Sequence, residues 1–592
     1  MNIRYMSERR GLKYGYAAFL FLAVSLSFLR RIYDYDVWFH LAIGREVLAN
    51  LRIPQTEVFV YTLLDTPGAY HAWGFEALLY FLYNHFGYWG MSFFQGLIAG
   101  LSVLFLYLTA SRGKAFEGWA TLFMSGMILL VEFRFVYRPE IMLYLSLAIE
   151  IYLLEGFSST GKWRYLAPVP ALCMLLSWAH PSVLMLFIVL FCYTGGLLWD
   201  WVNSGKIDGK TAWPLAMAIS LSILFALINP YGIRQLLLPL FLSGEKAFLQ
   251  GVPELAPVMK TAYKTSFLLL VIAGLTPIIS LRGGKRITYG MLLLIFGFLT
   301  YKYARNLAVL AIIMYVPIVG SFQSLAEIYS SLARAASKKT FMTLAAVLLM
   351  ASLFSITRGD RWGAGPVDVL FPVKSSEFML EYRPKGKIFN QFYTGNFLEW
   401  KLYPSYLVSV DGRHYTHDRS LELYDQVFWM KEGWEKVLLD YDVGTIITPC
   451  TNIVRGSLVP LVLELDADTS WSLAVVEPSA MLFIRTELLR NLAGVQALSK
   501  DLIWRQVIQE ASRNLRNYPD AVESYLSLGI AHFKLHEFHD SLEPFKQYLK
   551  YFPNDPQALE AVRLIEAAQR GELSSREELE YLYQSGRHKA GH

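Results

Sequence analysis

Long apolar segments fill most of the first 356 residues, and they restrict the fold more than any other feature of the sequence. About eleven of them approach the roughly 17–25 residues that an α-helix needs to cross a bilayer. Of the 592 residues, 54% are hydrophobic and 17% are charged, a balance that argues against a soluble protein. We therefore expect a polytopic α-helical membrane protein. The predicted spans are 14–30, 88–110, 116–133, 140–157, 165–179, 182–200, 211–229, 265–281, 287–301, 307–325 and 341–356.

Basic residues in the short loops predict the orientation of these spans. Lys and Arg occur in alternate loops, and loops of this kind face the cytoplasm. Arg9, Arg10 and Lys13 precede the first span, so the loop that follows this span lies outside. Because Arg30 and Arg31 follow the span where a signal peptide would carry small residues, we expect a retained anchor. An odd number of spans also places the C-terminal part of the chain outside.

Polar residues collect on the side that is predicted to be the outer one. In the first outer loop, residues 31–74, Asp34 and Asp36 open a short amphipathic helix. Asp36 and His40 are four residues apart, so this helix carries both on one face. A convergent set at one rim of a membrane protein indicates a polar site. The members predicted to be site residues are His71, Glu76, Arg138, Glu140, His180, Asn229, Tyr231, Glu254, Lys302 and Arg305. Trp73, Arg134 and Asn306 complete the set.

The acidic pair, Asp34 and Asp36, permits three interpretations. The two carboxylates could cap a helix and be solvated at the interface. They could hold a divalent cation such as Mg²⁺ or Mn²⁺ together with substrate phosphate oxygens. One of them could instead act as a general base that deprotonates an acceptor hydroxyl as it attacks a sugar carbon. The second and third interpretations are compatible.

The remaining charged members of the set have comparable alternatives. Arg138 and Arg305 could hold a lipid-linked phosphate through their guanidinium forks, and Lys302 could do so as a point charge. Snorkelling of these long side chains to the interface explains them equally well. The three histidines could be ligands or interfacial hydrogen-bonding groups, and Glu140 could simply cap the helix that it begins.

Residues 357–490 change character and predict a small extracytoplasmic α/β domain. Short apolar runs alternate there with turn residues, which indicates strands with helices between them. Asp411 and Arg413, in the sequence DGR, are interpreted as a turn with an ion pair or as contributors to the membrane site. The predicted strands lie in KGKIFNQF, SYLVSVDGRHY, DVGTIITP and WSLAVVEPSAMLFIRT.

Residues 491–592 are polar and helical, and part of this region matches the tetratricopeptide pattern. One repeat is clear. A single repeat cannot bury its own apolar face, so we expect it to dock on a neighbouring domain or on a protein partner. The residues that match the pattern are Tyr525, Leu528, Gly529, Ser541, Phe545 and Pro553.

Two other kinds of site are not indicated. Cys173, Cys192 and Cys450 are far apart, so the sequence predicts neither a disulfide framework nor a CxxC metal site. No basic stripe with interleaved aromatic residues occurs, so nucleic acid is not an expected partner.

The ordered motifs resemble the GT-C class of membrane glycosyltransferases, which includes protein O-mannosyltransferases, aminoarabinose transferases and oligosaccharyltransferases. An acidic pair in the first outer loop, an interfacial helix and many spans mark that class. The chain resembles more closely a bacterial group within it, whose pattern is D-x-D-x-W-W-H-L-A-x-G, although Phe39 replaces the second tryptophan and Asn396 replaces a glycine. The matching segments are DYDVWFHLAIG, IP, FVYT, HAWGFE, RPE, SWAHPS, NPYGIR, ARN and FNQFYTGNFLEW…VSVDGR.

This resemblance implies a GT-C-like domain over residues 1–356 and an inverting sugar transfer. The donor would be a polyprenyl-phosphate sugar, and the reaction would take place on the outer face of a bacterial inner membrane. Asp36 is expected to be the acceptor base and Asp34 to position metal or substrate, with the donor held by Arg138 and Arg305. The main alternative is a non-catalytic anchor whose outer domains assemble an envelope complex. A transporter is a further alternative, but it would place binding groups near mid-bilayer between repeated halves.

Overall fold

The computed structural model describes residues 3–64, 66–68, 70–112, 117–205, 208–242, 255–328, 338–413, 419–452 and 455–570. The chain divides into two compact units by contacts. The first unit consists of Met1–Gln55 and Gly68–Val367, and the second of Thr56–Pro67 and Asp368–His592. A piece of the first outer loop, Thr56–Pro67, therefore belongs with the C-terminal part of the chain.

The first unit is built from helices. The helices are α1 (Ile3–Ser27), α2 (Val37–Asn50), α3 (Trp73–Ala110), α4 (Glu117–Val131), α5 (Glu140–Thr160), α6 (Val169–Ala179), α7 (Leu184–Ser204), α8 (Gly209–Ala226), α9 (Ile233–Leu242), α10 (Lys264–Ser280), α11 (Gly283–Lys302), α12 (Leu307–Ile328) and α13 (Lys338–Thr357).

Within the described residues, five helical stretches are long and apolar enough to cross a membrane. They are Trp73–Ala110, Glu140–Thr160, Pro181–Ser204, Gly209–Ala226 and Ala304–Phe322. Three shorter apolar helices accompany them, at Lys13–Ser27, Lys264–Ser280 and Met342–Thr357. Hydrogen bonding within each helix satisfies the backbone where no water is available. The protein is thus a multi-pass membrane protein. Each of the eleven predicted spans overlaps a helix, but the number of crossings stays a prediction.

Helix α3 contains a break that separates an interfacial part from a spanning part. The sequence predicts that a helix at Phe75–Phe86 extends the second span, and the two are joined through Gly87, whose φ of 60° and ψ of −156° are not helical. Only glycine adopts this conformation without strain. Before the break, α2 lies so close to α3 that a Cβ at Gly44 would overlap the Glu76 carbonyl oxygen. After the break, α3 packs in the same close manner on α1 at Gly96 and Gly100.

The second unit contains one mixed four-stranded sheet in the order β1-β2-β4-β3. Strands β1 and β2 are parallel, whereas β4 is antiparallel to both β2 and β3. The elements are α14 (Val373–Tyr382), β1 (Lys387–Asn390), α15 (Phe392–Leu402), α16 (Arg419–Phe428), α17 (Trp434–Asp440), β2 (Val443–Thr448), α18 (Pro460–Ala467), β3 (Trp471–Glu477), β4 (Ala480–Arg485) and α19 (Thr486–Arg490).

One predicted strand of this domain is wrong. The segment SYLVSVDGRHY does not join the sheet, and its Val408 instead forms an isolated parallel bridge with Val60. The backbone N–H of Val408 donates to the Phe59 carbonyl, and the N–H of Tyr61 donates to the Val408 carbonyl, each at 3.0 Å. The apolar alternation of the segment is real, but its partner is the piece of loop that comes from far earlier in the chain. Local pattern does not specify such a partner.

Four helices end the described chain, and they share one core with the sheet. Buried Trp504, Phe533 and Phe545 belong to the same apolar cluster as Leu473 and Phe483 of the sheet. The helical end therefore docks on a neighbour, as a single repeat must. The tetratricopeptide assignment itself stays a prediction. The helices are α20 (Asp501–Asn517), α21 (Glu523–Lys534), α22 (Phe538–Leu549) and α23 (Pro556–Gln569).

Candidate functional site

The acidic pair lies in a loop that the backbone of the first unit holds in place. The N–H of Arg31 donates to the Arg361 carbonyl, and the N–H of Ile32 donates to the Gly365 carbonyl, both at 2.8 Å. The buried guanidinium of Arg30 forms an ion pair with Glu132. These contacts fix the chain just before Asp34, and α2 begins at Val37 just after Asp36. The acidic pair therefore lies between two fixed segments of the chain.

Arg138 joins the two acids. Its Nε and Nη2 atoms donate to the two carboxylate oxygens of Asp34, at 2.6 and 2.8 Å, in the bidentate geometry typical of arginine. The Nη2 atom also lies 3.0 Å from Asp36 Oδ2. Burial alone would raise the pKa of Asp34, but the Arg138 charge and hydrogen bonds lower this pKa below its ordinary value. Asp34 is therefore ionised at neutral pH, and both of its oxygens are engaged.

The two acids differ in their exposure. The Asp34 side chain is 8% exposed, whereas the Asp36 side chain is 17% exposed. Asp36 occupies the N-cap position of α2, but its side chain makes no capping hydrogen bond there. The capping interpretation of Asp36 is therefore not supported. Asp36 is therefore the more exposed acid of the pair.

A second ion-pair group surrounds Glu140 at the beginning of α5. Buried Arg134 forms an ion pair with Glu140, and Arg305 Nη2 lies 3.7 Å from Glu140 Oε1. The Arg305 side chain is 34% exposed, so this guanidinium is the less firmly held of the two. Arg134 belongs to the polar set that the sequence predicts on the outer side, although it is not chosen there as a site residue.

Two of the predicted histidines lie close to these charges. His40 Nδ1 lies 3.0 Å from Glu76 Oε1, and both side chains are buried. The His180 ring accepts a hydrogen bond from the Ser182 N–H at 3.0 Å. Burial lowers the pKa of His180 to about 4, against the opposing charge of Glu140. His180 is thus neutral at pH 7, where it can accept or donate a hydrogen bond but adds no charge.

The remaining polar residues form a separate network around His71. Its Nδ1 lies 2.9 Å from Gln235 Oε1, and its ring packs on Tyr231 at 4.5 Å between centroids. Gln235 and Asn229 both donate to the Ser177 carbonyl, at 2.8 and 2.7 Å. Burial lowers the pKa of His71. Gln235 is not a predicted site residue, although a buried amide just after the motif NPYGIR is a usable signal.

Two predicted residues are not part of these groups. Lys302 is exposed at the end of α11, where its Nζ lies 5.1 Å from the centre of the Tyr303 ring. Glu254 falls outside the described residues.

A divalent cation fits this site only with substrate oxygens completing its shell. Both Asp34 oxygens already accept from Arg138, whereas Asp36 meets the same guanidinium through Oδ2 at 3.0 Å, so Asp36 is the less engaged carboxylate of the pair. Glu76 Oε2 is buried and has no hydrogen-bond partner among the described residues, so its charge is not fully compensated. In the described part of the chain, however, the acids of the first unit do not form a group of three at metal-binding distance. One or two carboxylates plus phosphate oxygens are a normal Mg²⁺ environment.

The second unit holds a different charged cluster around Arg413. The expected ion pair within DGR is confirmed, since Arg413 Nε donates to Asp411 Oδ2 at 2.9 Å. Arg413 Nη2 also donates to Glu57 Oε1 at 2.9 Å and lies 3.5 Å from Glu399 Oε2. Burial and the neighbouring negative charges raise the pKa of Glu399 well above its ordinary value, although Arg413 opposes them. A contribution of this cluster to the membrane site stays a prediction.

Solved structures of archaeal oligosaccharyltransferases are similar to this chain. The Archaeoglobus fulgidus oligosaccharyltransferase AglB, in complex with an inhibitory peptide and a dolichol-phosphate, matches with a TM-score of 0.58 at 11% identity, covering 89% of this chain and 86% of that one. The chain has an oligosaccharyltransferase-like, GT-C fold. A second structure of the A. fulgidus enzyme, tethered to an acceptor peptide, matches with a TM-score of 0.52 at 10% identity and covers 80% and 74% of the two chains.

At this identity the likeness establishes the fold and leaves the activity to be argued from the site. No family model matches the sequence, and no curated protein matches it. The resemblance to one bacterial group within the class stays a prediction.

Proposed function

We propose that this protein is a membrane glycosyltransferase that uses a polyprenyl-phosphate-linked sugar on the extracytoplasmic face of a bacterial inner membrane. The observation that carries the proposal is the contact of Arg138 with both Asp34 and Asp36. A second cationic group, Arg305 on Glu140, supports the proposal, and the Arg138 charge also acts on Glu140. The GT-C-like fold is the further support.

Asp36 is the proposed general base. The acceptor hydroxyl loses its proton to this carboxylate as its oxygen bonds to the anomeric carbon of the sugar. The bond from that carbon to the phosphate oxygen breaks, and its electron pair leaves with the lipid phosphate. Attack opposite the leaving group inverts the anomeric centre. Because Arg138 engages both oxygens of Asp34, Asp34 serves to orient Arg138, and Arg138 in turn holds Asp36.

Arg305 is the proposed clamp for the leaving phosphate. Its guanidinium is partly exposed and lies 3.7 Å from its carboxylate partner, a distance that leaves its donors less committed than those of Arg138. An arginine in this state can bind a phosphate bidentately. A divalent cation held by Asp36 and phosphate oxygens would further neutralise the leaving group.

The test is a transfer assay with purified protein, polyprenyl-phosphate sugars as donors and membrane extract as the acceptor source. Release of free polyprenyl phosphate is the readout. We expect release by the wild-type protein and release at least about a hundredfold slower by Asp36→Asn. Where a divalent cation takes part, EDTA lowers release and added Mg²⁺ or Mn²⁺ restores it. No release from any donor in the panel would overturn the proposal. The scaffold alternative predicts instead that Asp36→Asn behaves like the wild type in every assay of envelope assembly.

A protein partner at the tetratricopeptide-like helices is a separate proposal. Exposed Tyr518, which follows α20, and exposed Tyr551 and Phe552, which follow α22, offer aromatic contact area to such a partner. Cross-linking in intact cells, compared between the wild type and Tyr551→Ser, tests it.

A further inference from the structure

A small basic pocket lies at the opposite end of α5 from the acidic site. Glu140 begins this helix and Thr160 ends it. A helix of 21 residues is about 30 Å long, which is the thickness of the hydrocarbon core. The turn that follows Thr160 is therefore at the other membrane surface. It contributes Lys162, Trp163 and Arg164 to a cavity of about 320 Å³, and Lys210, Pro214 and Met217 of α8 complete the lining.

The pocket is built by a close approach of two spans. Gly161 ends α5 with a φ of +66°, and a Cβ at this glycine would lie 3.3 Å from Thr211 Cγ2 of α8. Tyr165 fixes the turn from the other side, because the Arg112 guanidinium lies 5.1 Å from the centre of its ring. Lys162 and Lys210 are brought to one cavity by these contacts between distant parts of the chain.

All the charged side chains that line the described pocket are positive. Lys162, Arg164 and Lys210 are all exposed, and none of them has an ion-pair partner in the described part of the chain. No acidic residue occurs among the described residues that line the cavity. The carboxylate of Asp208, just before Lys210, is engaged in capping α8, where it accepts from the Lys210 N–H at 3.1 Å.

Apolar surface lies directly beside these cations. Trp163 is 63% exposed and Met217 is 47% exposed. A free phosphate ion would gain nothing from these side chains, whereas a membrane lipid presents a charged headgroup and an acyl chain together. Basic pockets between spans, next to interfacial tryptophan, have the chemistry that binds anionic lipid headgroups.

We propose that this pocket is a binding site for the headgroup of an anionic phospholipid, with its acyl chain against Trp163 and Met217. The three cations contact the phosphate and bind the lipid at the surface remote from the acidic pair. The proposal is independent of the transferase activity, since none of its residues belongs to the acidic site.

Native mass spectrometry of the purified full-length protein tests the proposal. Phosphatidylglycerol and phosphatidylcholine with the same acyl chains are the probes. We expect preferential retention of one phosphatidylglycerol by the wild type. Each surface cation contributes about fivefold to anionic lipid affinity, so the variant K162Q/R164Q/K210Q should bind roughly a hundredfold more weakly.

The matched control is K264Q/R282Q/R286Q, which removes three exposed cations elsewhere in the first unit. It should retain phosphatidylglycerol as the wild type does, and both variants should keep the wild-type melting temperature. If both variants lost affinity for phosphatidylglycerol equally, the binding would reflect general attraction to positive charge and the proposal would be overturned. Unchanged affinity in K162Q/R164Q/K210Q would do the same. Displacement of the lipid by millimolar inorganic phosphate would identify a soluble anion as the ligand instead.

Discussion

Arg138 in the first unit and Arg413 in the second are each surrounded by acids, yet the two clusters differ in protonation. Arg138 contacts two carboxylates and keeps Asp34 ionised. Arg413 contacts three, and burial together with the neighbouring acids raises the pKa of Glu399 well above its ordinary value although Arg413 opposes this. The Arg138 charge and hydrogen bonds outweigh the burial of Asp34, whereas Arg413 does not outweigh the burial of Glu399 beside two other acids.

The two clusters also differ in how far solvent can reach them. The Arg138 side chain is 25% exposed and the Arg413 side chain is 12% exposed, while its partners Glu399 and Asp411 are fully buried. The first cluster is thus partly accessible and the second almost closed. The ion pair of Glu57 with Arg413 ties Thr56–Pro67 to the rest of its unit, so we expect the second cluster to stabilise the fold.

The largest expected effect is on turnover when the accessible acid is changed. Asp36→Asn removes the base but keeps the shape of the side chain, so turnover should fall by about 10²–10⁴-fold. Release of polyprenyl phosphate measures it, and size-exclusion chromatography checks folding. Glu399→Gln is the matched change in the closed cluster and should leave turnover near that of the wild type. Wild-type turnover by Asp36→Asn would show that Asp36 is not the general base and that the Arg138 cluster does not carry the chemistry.

The next effect is on stability when the closed cluster loses its cation. Arg413→Met removes the cation that the three buried acids share, which should cost about 3–5 kcal/mol of unfolding free energy. Hydrogen exchange in β1 and in Thr56–Pro67 should rise in the intact protein. Arg383→Met, which changes an exposed arginine of the same unit, is the control. Equal exchange in both variants would show that the cluster is not structural.

A smaller effect is expected on donor binding. Arg305→Ala removes a charge-assisted contact to phosphate worth about 1.5–3 kcal/mol, so affinity for polyprenyl phosphate should fall by about 10–150-fold. Lys302→Ala removes an exposed point charge and should have a clearly smaller effect. Titration calorimetry in detergent compares them. An unchanged affinity for polyprenyl phosphate in Arg305→Ala would show that Arg305 does not bind the phosphate.

The smallest effect concerns pH. Glu399 has a raised pKa in the folded protein, so its contribution to stability is complete below the unfolded value of 4.5 and is lost as pH rises toward the raised value. Glu399→Gln should therefore lessen the loss of melting temperature as pH rises above 4.5. The lowered pKa of Asp34 acts in the opposite sense, because its contribution is lost only as pH falls below 3.8. Parallel curves for the variant and the wild type would contradict the protonation of Glu399.

The sequence predicts much of the fold because hydropathy is a property of consecutive residues. Each apolar segment has a helix, and three of the four predicted strand regions lie in the sheet. The strand that is wrong, around Val408, has the correct alternation but pairs with Val60, about 350 residues away. The pairing depends on the tertiary fold, which brings Val60 next to Val408, and a local sequence pattern does not specify that.

The same division applies to the candidate site. That Asp34, Asp36, Arg138, Glu140 and Arg305 belong on one side follows from the order of spans and loops, which is a count along the chain. Which arginine meets which acid does not follow. Asp34 and Arg138 are 104 residues apart, and Glu57 and Arg413 are 356 apart. Only the packing of helices and of the sheet brought these charges within hydrogen-bond distance, because an ion pair depends on the position of both partners in space.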